Sequence, residues 1–451
     1  MIISPHNLVD SLRPLIGQKR SRGFDVEIRT VEELTGLRGG GGSIPRAASL
    51  PDAIRNLVLG ARPAYLLLVG DHDQTPSYRY NDEYDSDSYF GMGDNDIFPR
   101  VLIGRLSSND PKILNTICPA LVEYPADPGT GWKRRVVLTG WCARARRDAD
   151  PDDAGWRCLE EIGTYYDVLP LFANDRLADA EQRRVWQTAG NAVGTLVEAI
   201  GSGAAVVRYL GHGNWDVWGH VGQEGEAFTA DHVRQLNVEA RLPLIVSAAC
   251  VTGDIQRDSL AEAFQVQLKA VGVVAADVET ETWWMERFVP RVFHEIVTKG
   301  TRRVSDIILG AMRQVYDDYP TTGVGPRDSV SSKHSRIFRY LGDPDTILAG
   351  PEDDGINACR QVPIPIELLG NGSVRSRPVT IDFGKKVRRA WASLSGIDAE
   401  PSVPLLLSRL STEISIDGTS VTVGASVSLS GHAPLPTHWK GQVRAAVFAV
   451  L

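Results

Sequence analysis

Nowhere in its 451 residues does this chain string together eighteen apolar side chains, so no single helix has the length and hydrophobicity to cross a bilayer. Cysteine is scarce. The five present, at positions 118, 142, 158, 250 and 359, are odd in number and far apart, which fits neither a disulfide framework nor the short ligand spacings of a zinc ribbon. Basic charge is also in deficit: 48 Lys and Arg stand against 56 Asp and Glu, and the cations are scattered. A nucleic-acid partner is therefore not expected. The run Gly39 to Gly42 lacks the Gly-Lys-Ser/Thr ending of a phosphate-binding loop. The start lacks the basic, apolar and small-residue order of a secretory leader, and Met1 leads within two residues into a strand pattern. Together with the cysteine usage, this gives the expectation of a cytoplasmic protein.

What is present is an alternation of short apolar runs with helical periodicity. Val26 to Thr30 and Tyr65 to Val69 read as strands, and Pro51 to Leu59 between them as a helix opened by proline. The pattern resumes with strands at Lys133 to Thr139 and Asp167 to Leu171 and a helix near Asp153 to Tyr165. A helix at Asn191 to Ile200 leads into the run Ala204 to Leu210. A further helix, Ser259 to Leu268, joins the runs Leu242 to Ala249 and Ala270 to Ala276, and Arg287 to Tyr316 is mainly helical in pattern. This predicts an α/β protein with mostly parallel sheets in two similar subdomains, residues 1–130 and 131–350. Around Gly350 the character changes. Pro351-Glu-Asp-Asp-Gly355 reads as a linker, and residues 356–451 alternate apolar and polar positions with an Asp417-Gly418 hairpin signal, which predicts a small β-sandwich.

Two of the apolar runs end in groups able to do chemistry. One stops at Gly211-His212-Gly213 and the other at Cys250-Val-Thr-Gly253. In open α/β sheets reactive groups gather at the carboxyl ends of parallel strands. A thiolate is a strong nucleophile, and an imidazole beside it can take the thiol proton and return it to a leaving amine. The pair points to acyl transfer. Blander readings stand beside this one: Cys250 as an inert core thiol, His212 as a turn former between glycines. A zinc site from His212, His220 and Cys250 has the ligand types without the usual spacings. His220 and His232 read as surface residues, and Cys118, in an apolar stretch, as packing. The segment from His72 to Asp96 is dense in carboxylates, including Asp82, Asp85 and Asp87. Such density calls for solvent or a cation, so it is either a solvated loop or a calcium site.

Tyr209-Leu-Gly-His-Gly213 and Ala248-Ala-Cys-Val-Thr-Gly-Asp254, with Leu67-Leu-Val-Gly-Asp71 and Ile103-Gly-Arg-Leu106 before them and Tyr340-Leu-Gly-Asp-Pro344 after, stand in an order and spacing that resembles the gingipain family of cysteine peptidases, relatives of the caspases. The resemblance covers most of residues 1–350. It implies a caspase-like α/β fold followed by an immunoglobulin-like module, and a polypeptide substrate. It implies Cys250 as nucleophile, His212 as its base, and the backbone N–H groups of Gly213 and Cys250 as oxyanion donors. It implies calcium dependence, although the chemistry itself needs no cofactor. Asp153 falls where Arg-specific members carry a pocket aspartate, and Trp284 or its neighbour Trp283 near their pocket tryptophan, so cleavage after Arg or Lys is expected. Asp153 equally suits a helix N-cap, and Trp215 and Trp218 are alternative cleft residues. One departure is plain: Trp141 and Cys142 stand where those members place an acidic residue that orients the histidine, which leaves a Cys-His dyad. Family members are known as secreted precursors, so a processed secreted form is the alternative to a cytoplasmic one. With no pro-segment in view, an activating partner is a further expectation. The rival functions are an inactive peptidase-like scaffold and a transpeptidase or ligase that resolves the same acyl-enzyme with an amine.

Overall fold

The computed structural model describes residues 1–36, 49–124, 131–140, 167–172, 191–219, 221, 226–297, 299–318, 330–349, 356–368, 374–376, 378–382, 389–400, 406–417, 420–430 and 439–450. They belong to two compact units, Met1–Gly350 and Pro351–Leu451.

The strands of the first unit begin with β1 (Ile2–Ser4), β2 (Ile28–Thr30) and β3 (Tyr65–Val69), then a hairpin of β4 (Tyr78–Tyr80) and β5 (Tyr84–Ser86), then β6 (Leu102–Leu106). They continue with β7 (Arg135–Gly140), β8 (Asp167–Phe172) and β9 (Val206–Leu210). A small three-stranded sheet of β10 (Gly213–Asn214), β11 (Val217–Gly219) and β12 (Ala227–Thr229) precedes β13 (Leu244–Ala248), β14 (Gly272–Ala276) and β15 (Phe338–Gly342).

Ten of these strands make one sheet in the order β2-β1-β3-β6-β15-β14-β13-β9-β7-β8. Neighbours from β2 to β15 are parallel, and so are neighbours from β14 to β8. The two parallel blocks meet antiparallel at β14 and β15. The late strand β15 thus crosses back to join the strands that come from the start of the chain, and the sheet runs unbroken through the unit. In the N-terminal block, helices α1 (Arg13–Ser21), α2 (Leu50–Ala61) and α3 (Pro111–Glu123) cover both faces. Ile2, Leu67 and Val69 share a core with Leu15 of α1 and Ile117 and Cys118 of α3, whereas Ile3, Leu66 and Leu68 pack with Ile54 and Val58 of α2. Adjacent strand residues point to opposite faces, so a strand covered on both sides must be apolar throughout. That is why Tyr65–Val69 and Leu244–Ala248 read as continuous runs.

Local signals set the helix ends. Ser49 caps α2 by accepting from the Asp52 N–H, and Asp110 caps α3 by accepting from the Lys112 N–H. Asn191 does the same for α4 (Ala192–Gly201), and Ser259 with Glu262 closes a reciprocal capping box on α5 (Leu260–Val266). The helical stretch expected from Arg287 to Tyr316 is two helices, α6 (Thr282–Val297) and α7 (Val304–Asp318). Gly300, at φ 66°, adopts the left-handed conformation between them. The last helix of the unit is α8 (Val330–Ile337). No described helix is long and apolar enough to span a membrane.

The second unit contains β16 (Ile356–Leu368), β17 (Val374–Ser376), β18 (Val379–Asp382), β19 (Arg389–Glu400), β20 (Leu406–Asp417), β21 (Ser420–Ser430) and β22 (Trp439–Val450). They form two antiparallel sheets, β17-β16-β22-β19 and β18-β21-β20. Asp417 lies opposite Ser420 across β20 and β21, the hairpin that Asp417-Gly418 signals.

Candidate active site

The register of β9 on β13 aligns Leu210 with Ala248, and the Gly211 N–H donates to the Ala248 carbonyl at 3.2 Å. His212 follows Leu210 by two residues and Cys250 follows Ala248 by two, so the two groups leave adjacent parallel strands at the same edge of the sheet. His212 is exposed and Cys250 half-buried. Gly213 lies hard against the neighbouring turn: a Cβ there would stand 2.8 Å from each of Ala249 Cβ, the Cys250 carbonyl oxygen and Thr252 Cγ2. Only glycine permits that approach.

The backbone around His212 is braced from beneath. Its carbonyl oxygen accepts from the Gly219 N–H at 2.9 Å, and the Tyr209 hydroxyl is shared between the carbonyls of His212 and Gly219. Burial pushes the Tyr209 phenol above its usual range, so it stays a neutral donor. The Tyr209 ring stacks on Trp218 at 4.8 Å, and the Trp218 indole N–H donates to Ser247 Oγ, which in turn lies 2.8 Å from Thr252 Oγ1. Trp218 is wholly buried and acts as this brace rather than as a cleft wall. Immediately after the thiol, Val251 takes φ 65°, a costly conformation for a β-branched residue. It is held there because the Val251 N–H donates to Val278 O and the Asp254 N–H to Val251 O. The Gly253 N–H, bonded to Ala276 O, fixes the next turn.

A third strand end completes the site. Past β14, Thr280 surrounds the sulfur: its N–H points at Cys250 Sγ at 3.4 Å, its Oγ1 lies at 3.5 Å and its carbonyl at 3.9 Å. Sequence reading passed over Thr280 because two of these three contacts are made by backbone. The usable signal was topological, since β14 runs parallel beside β13 and ends at the same edge.

The residues expected to line a pocket or hold a metal have other places. Trp284 is fully buried, its ring 4.8 Å from Phe288, 4.2 Å from His334 and 5.2 Å from Phe338, so it is a core side chain and not a pocket wall. Its neighbour Trp283 is half-exposed under the Arg287 guanidinium. Asp153, Trp141, Cys142 and His220 lie outside the described residues. His232 folds back to cap its own short helix through Nδ1 and the Thr229 N–H.

The acidic segment is not a loop of free carboxylates. Asp82 is exposed on the β4–β5 turn, and Asp85 accepts from Arg79 and Gln256. Asp87 is buried between Arg105 and Arg339. Burial alone would raise the Asp87 carboxyl, but the two guanidiniums outweigh it and hold the group well below the usual carboxylate range. A calcium ion there would meet the fixed guanidiniums of Arg79, Arg105 and Arg339, with Asp85 and Asp87 already paired to them and Asp82 standing apart at the surface. The residues Asp82, Asp85 and Asp87 therefore do not fit Ca²⁺, and no metal-holding cluster occurs among the described residues.

A doubly covered, mostly parallel sheet with thiol and imidazole leaving adjacent strand ends defines an α/β protein of gingipain-like fold. The crystal structure of the Arg-specific cysteine proteinase gingipain R superposes with a TM-score of 0.63 at 17% identity, over 95% of this chain and 94% of that one. A complex of Porphyromonas gingivalis pro- and mature domains gives 0.63 at 16% identity, over 98% and 99%. In sequence, gingipain R2 of Porphyromonas gingivalis strain W83 is 24% identical over 261 residues, 56% of this chain and 32% of its own length. Gingipain R1 of the same species is 25% identical over 250 residues, 54% of this chain and 23% of its own length, so the chain spans a third or less of these relatives. The profile of peptidase family C25 matches residues 1–349, and the chain belongs to that family.

Proposed function

We propose that the chain is a cysteine endopeptidase in which Cys250 is the nucleophile and His212 the proton carrier. What supports this most is the pairing of β9 with β13, which brings the two strand ends together. The imidazole takes the thiol proton, the thiolate adds to the scissile carbonyl carbon, and the C–N bond breaks as the amine receives that proton. Water then hydrolyses the thioester. The N–H groups of Gly213 and Cys250 are the donors for the developing oxyanion, consistent with the closeness of these two segments.

The substrate is a polypeptide cut after Arg or Lys. Support comes from the Arg-specific neighbour and from the half-exposed Trp283, which can cover a cationic side chain, with Asp153 as its counter-charge. The neighbour that pairs a pro-domain with a mature domain favours control by a covering protein segment. Residues 356–451 form an immunoglobulin-like sandwich in this reading, in keeping with their two antiparallel sheets.

The test is a positional-scanning peptide library with wild type, Cys250→Ala and His212→Ala, with products identified by mass. Wild type should hydrolyse after Arg or Lys, Cys250→Ala should be inert, and His212→Ala should lose on the order of 10²–10⁴-fold. Turnover by Cys250→Ala would end the mechanism, and a preference for Asp or Asn would end the basic specificity. Ligated instead of hydrolysed products would identify a transpeptidase, and binding without cleavage a scaffold.

A further inference from the structure

The strap from Asp277 to Glu281, which joins β14 to α6, is held at both ends by α8. At one end the Asp277 N–H donates to the Ile337 carbonyl at 2.9 Å, and the Asp277 carboxylate accepts from Arg339 and from the Asp85 N–H. At the other end the Glu281 N–H donates to Nε2 of His334 at 3.2 Å. Between these anchors sits Thr280, whose N–H faces Cys250 Sγ.

The protonation of His334 follows from its partners. Nδ1 lies 2.6 Å from the Val330 carbonyl, which can only accept, so Nδ1 carries the hydrogen and Nε2 presents a lone pair to Glu281. The ring is wholly buried and stacked on Trp284 at 4.2 Å, with 17° between planes, which fixes its aim. Burial also lowers its pKa to about 4, so the acceptor persists at neutral pH.

We infer that His334 is a positioning residue for the Cys250 thiol: by accepting the Glu281 N–H it sets the strap so that the Thr280 N–H is aimed at sulfur. A donor pointed at sulfur fixes where the sulfur sits in the site, and so how readily it can reach an electrophile. The inference rests on reading Cys250 as the nucleophile, but its physical content, control of thiol reactivity, can be measured without any peptide substrate.

The experiment measures the rate at which iodoacetamide alkylates Cys250 in the intact chain at neutral pH, mapped by peptide mass, alongside kcat, KM and melting temperature. His334→Phe keeps a ring against Trp284 and removes the acceptor; His334→Gln supplies an amide oxygen acceptor; Glu281→Pro removes the donor from an exposed position. His334→Phe and Glu281→Pro should each slow alkylation by about five-fold, as expected for one lost hydrogen bond. They should lower kcat more than they raise KM, and combining them should add nothing further. His334→Gln should recover most of the rate. Wild-type alkylation in either His334→Phe or Glu281→Pro overturns the inference. So does an equal loss in His334→Phe and His334→Gln that follows melting temperature, which would make the histidine purely structural. If His334→Phe does not fold, Glu281→Pro decides alone. Peptide turnover surviving in Cys250→Ala would instead remove the nucleophile reading and leave the alkylation result standing.

Discussion

Trp283 and Trp284 are neighbours with opposite fates, because α6 turns one ring into the stack with Phe288, His334 and Phe338 and leaves the other at the surface. Trp284→Ala should cost about 3–5 kcal/mol in chemical denaturation, the usual loss for a buried aromatic. Trp283→Ala should leave stability nearly unchanged and raise KM for Arg substrates. The reverse pattern would return Trp284 to the pocket. Gly213→Ala forces a methyl into three contacts and should destabilise by about 1–3 kcal/mol while abolishing turnover. His334 makes a pH prediction. Its pKa falls from 6.5 to about 4 on folding, so between these values the unfolded chain binds the proton that the folded chain refuses. Its contribution is complete above pH 6.5 and is lost as pH falls through about 4, on the order of 3 kcal/mol in all. Denaturant titrations of wild type and His334→Gln should diverge across this window and run level above it.

Among the elements, those whose apolar content is local were legible from sequence. The strand Tyr65–Val69 spans the residues its apolar run predicts, and the ends of β9 and β13 carry His212 and Cys250 as their turns suggest. Strand β15 is hidden in the sequence because Arg339 interrupts it, and that charge is paired with Asp87 and Asp277, both remote in sequence. The β4–β5 hairpin is hidden by its carboxylates in a similar way, since Arg79 compensates Asp85 across the hairpin while Arg105 and Arg339 compensate Asp87 from other strands. In β16, Pro363 and Pro365 argue against a central strand. They are tolerated because the pairing with β17 begins only at Ile366. Within the site, Thr280 meets the sulfur largely through backbone groups, and the His334 ring meets the backbone of Glu281 and Val330, contacts that leave no mark on side-chain pattern. Asp87→Asn breaks a buried pair that ties the hairpin to β6 and β15, and should cost about 3–5 kcal/mol by denaturant unfolding. A loss within experimental error would mean that the guanidiniums find other partners.

At the scale of the molecule, all described parts of the candidate site lie in the first unit, on a sheet that residues 1–350 complete by themselves. The antiparallel seam between β14 and β15 sits one strand away from β13, so the strap that leaves β14 receives its supports from across the seam, where Asp85 and the helix just ahead of β15 both belong to the N-terminal block. The most direct measurement of the catalytic assignment is intact-mass and peptide mapping of the full chain after reaction with a peptidyl acyloxymethyl ketone that ends in arginine. One thioether adduct should form, on Cys250 and not on Cys118, whose buried thiol has its pKa pushed up to about 12, and His212→Ala should slow its formation steeply. An adduct on any other cysteine, or an unchanged rate in His212→Ala, would contradict the pairing of Cys250 with His212.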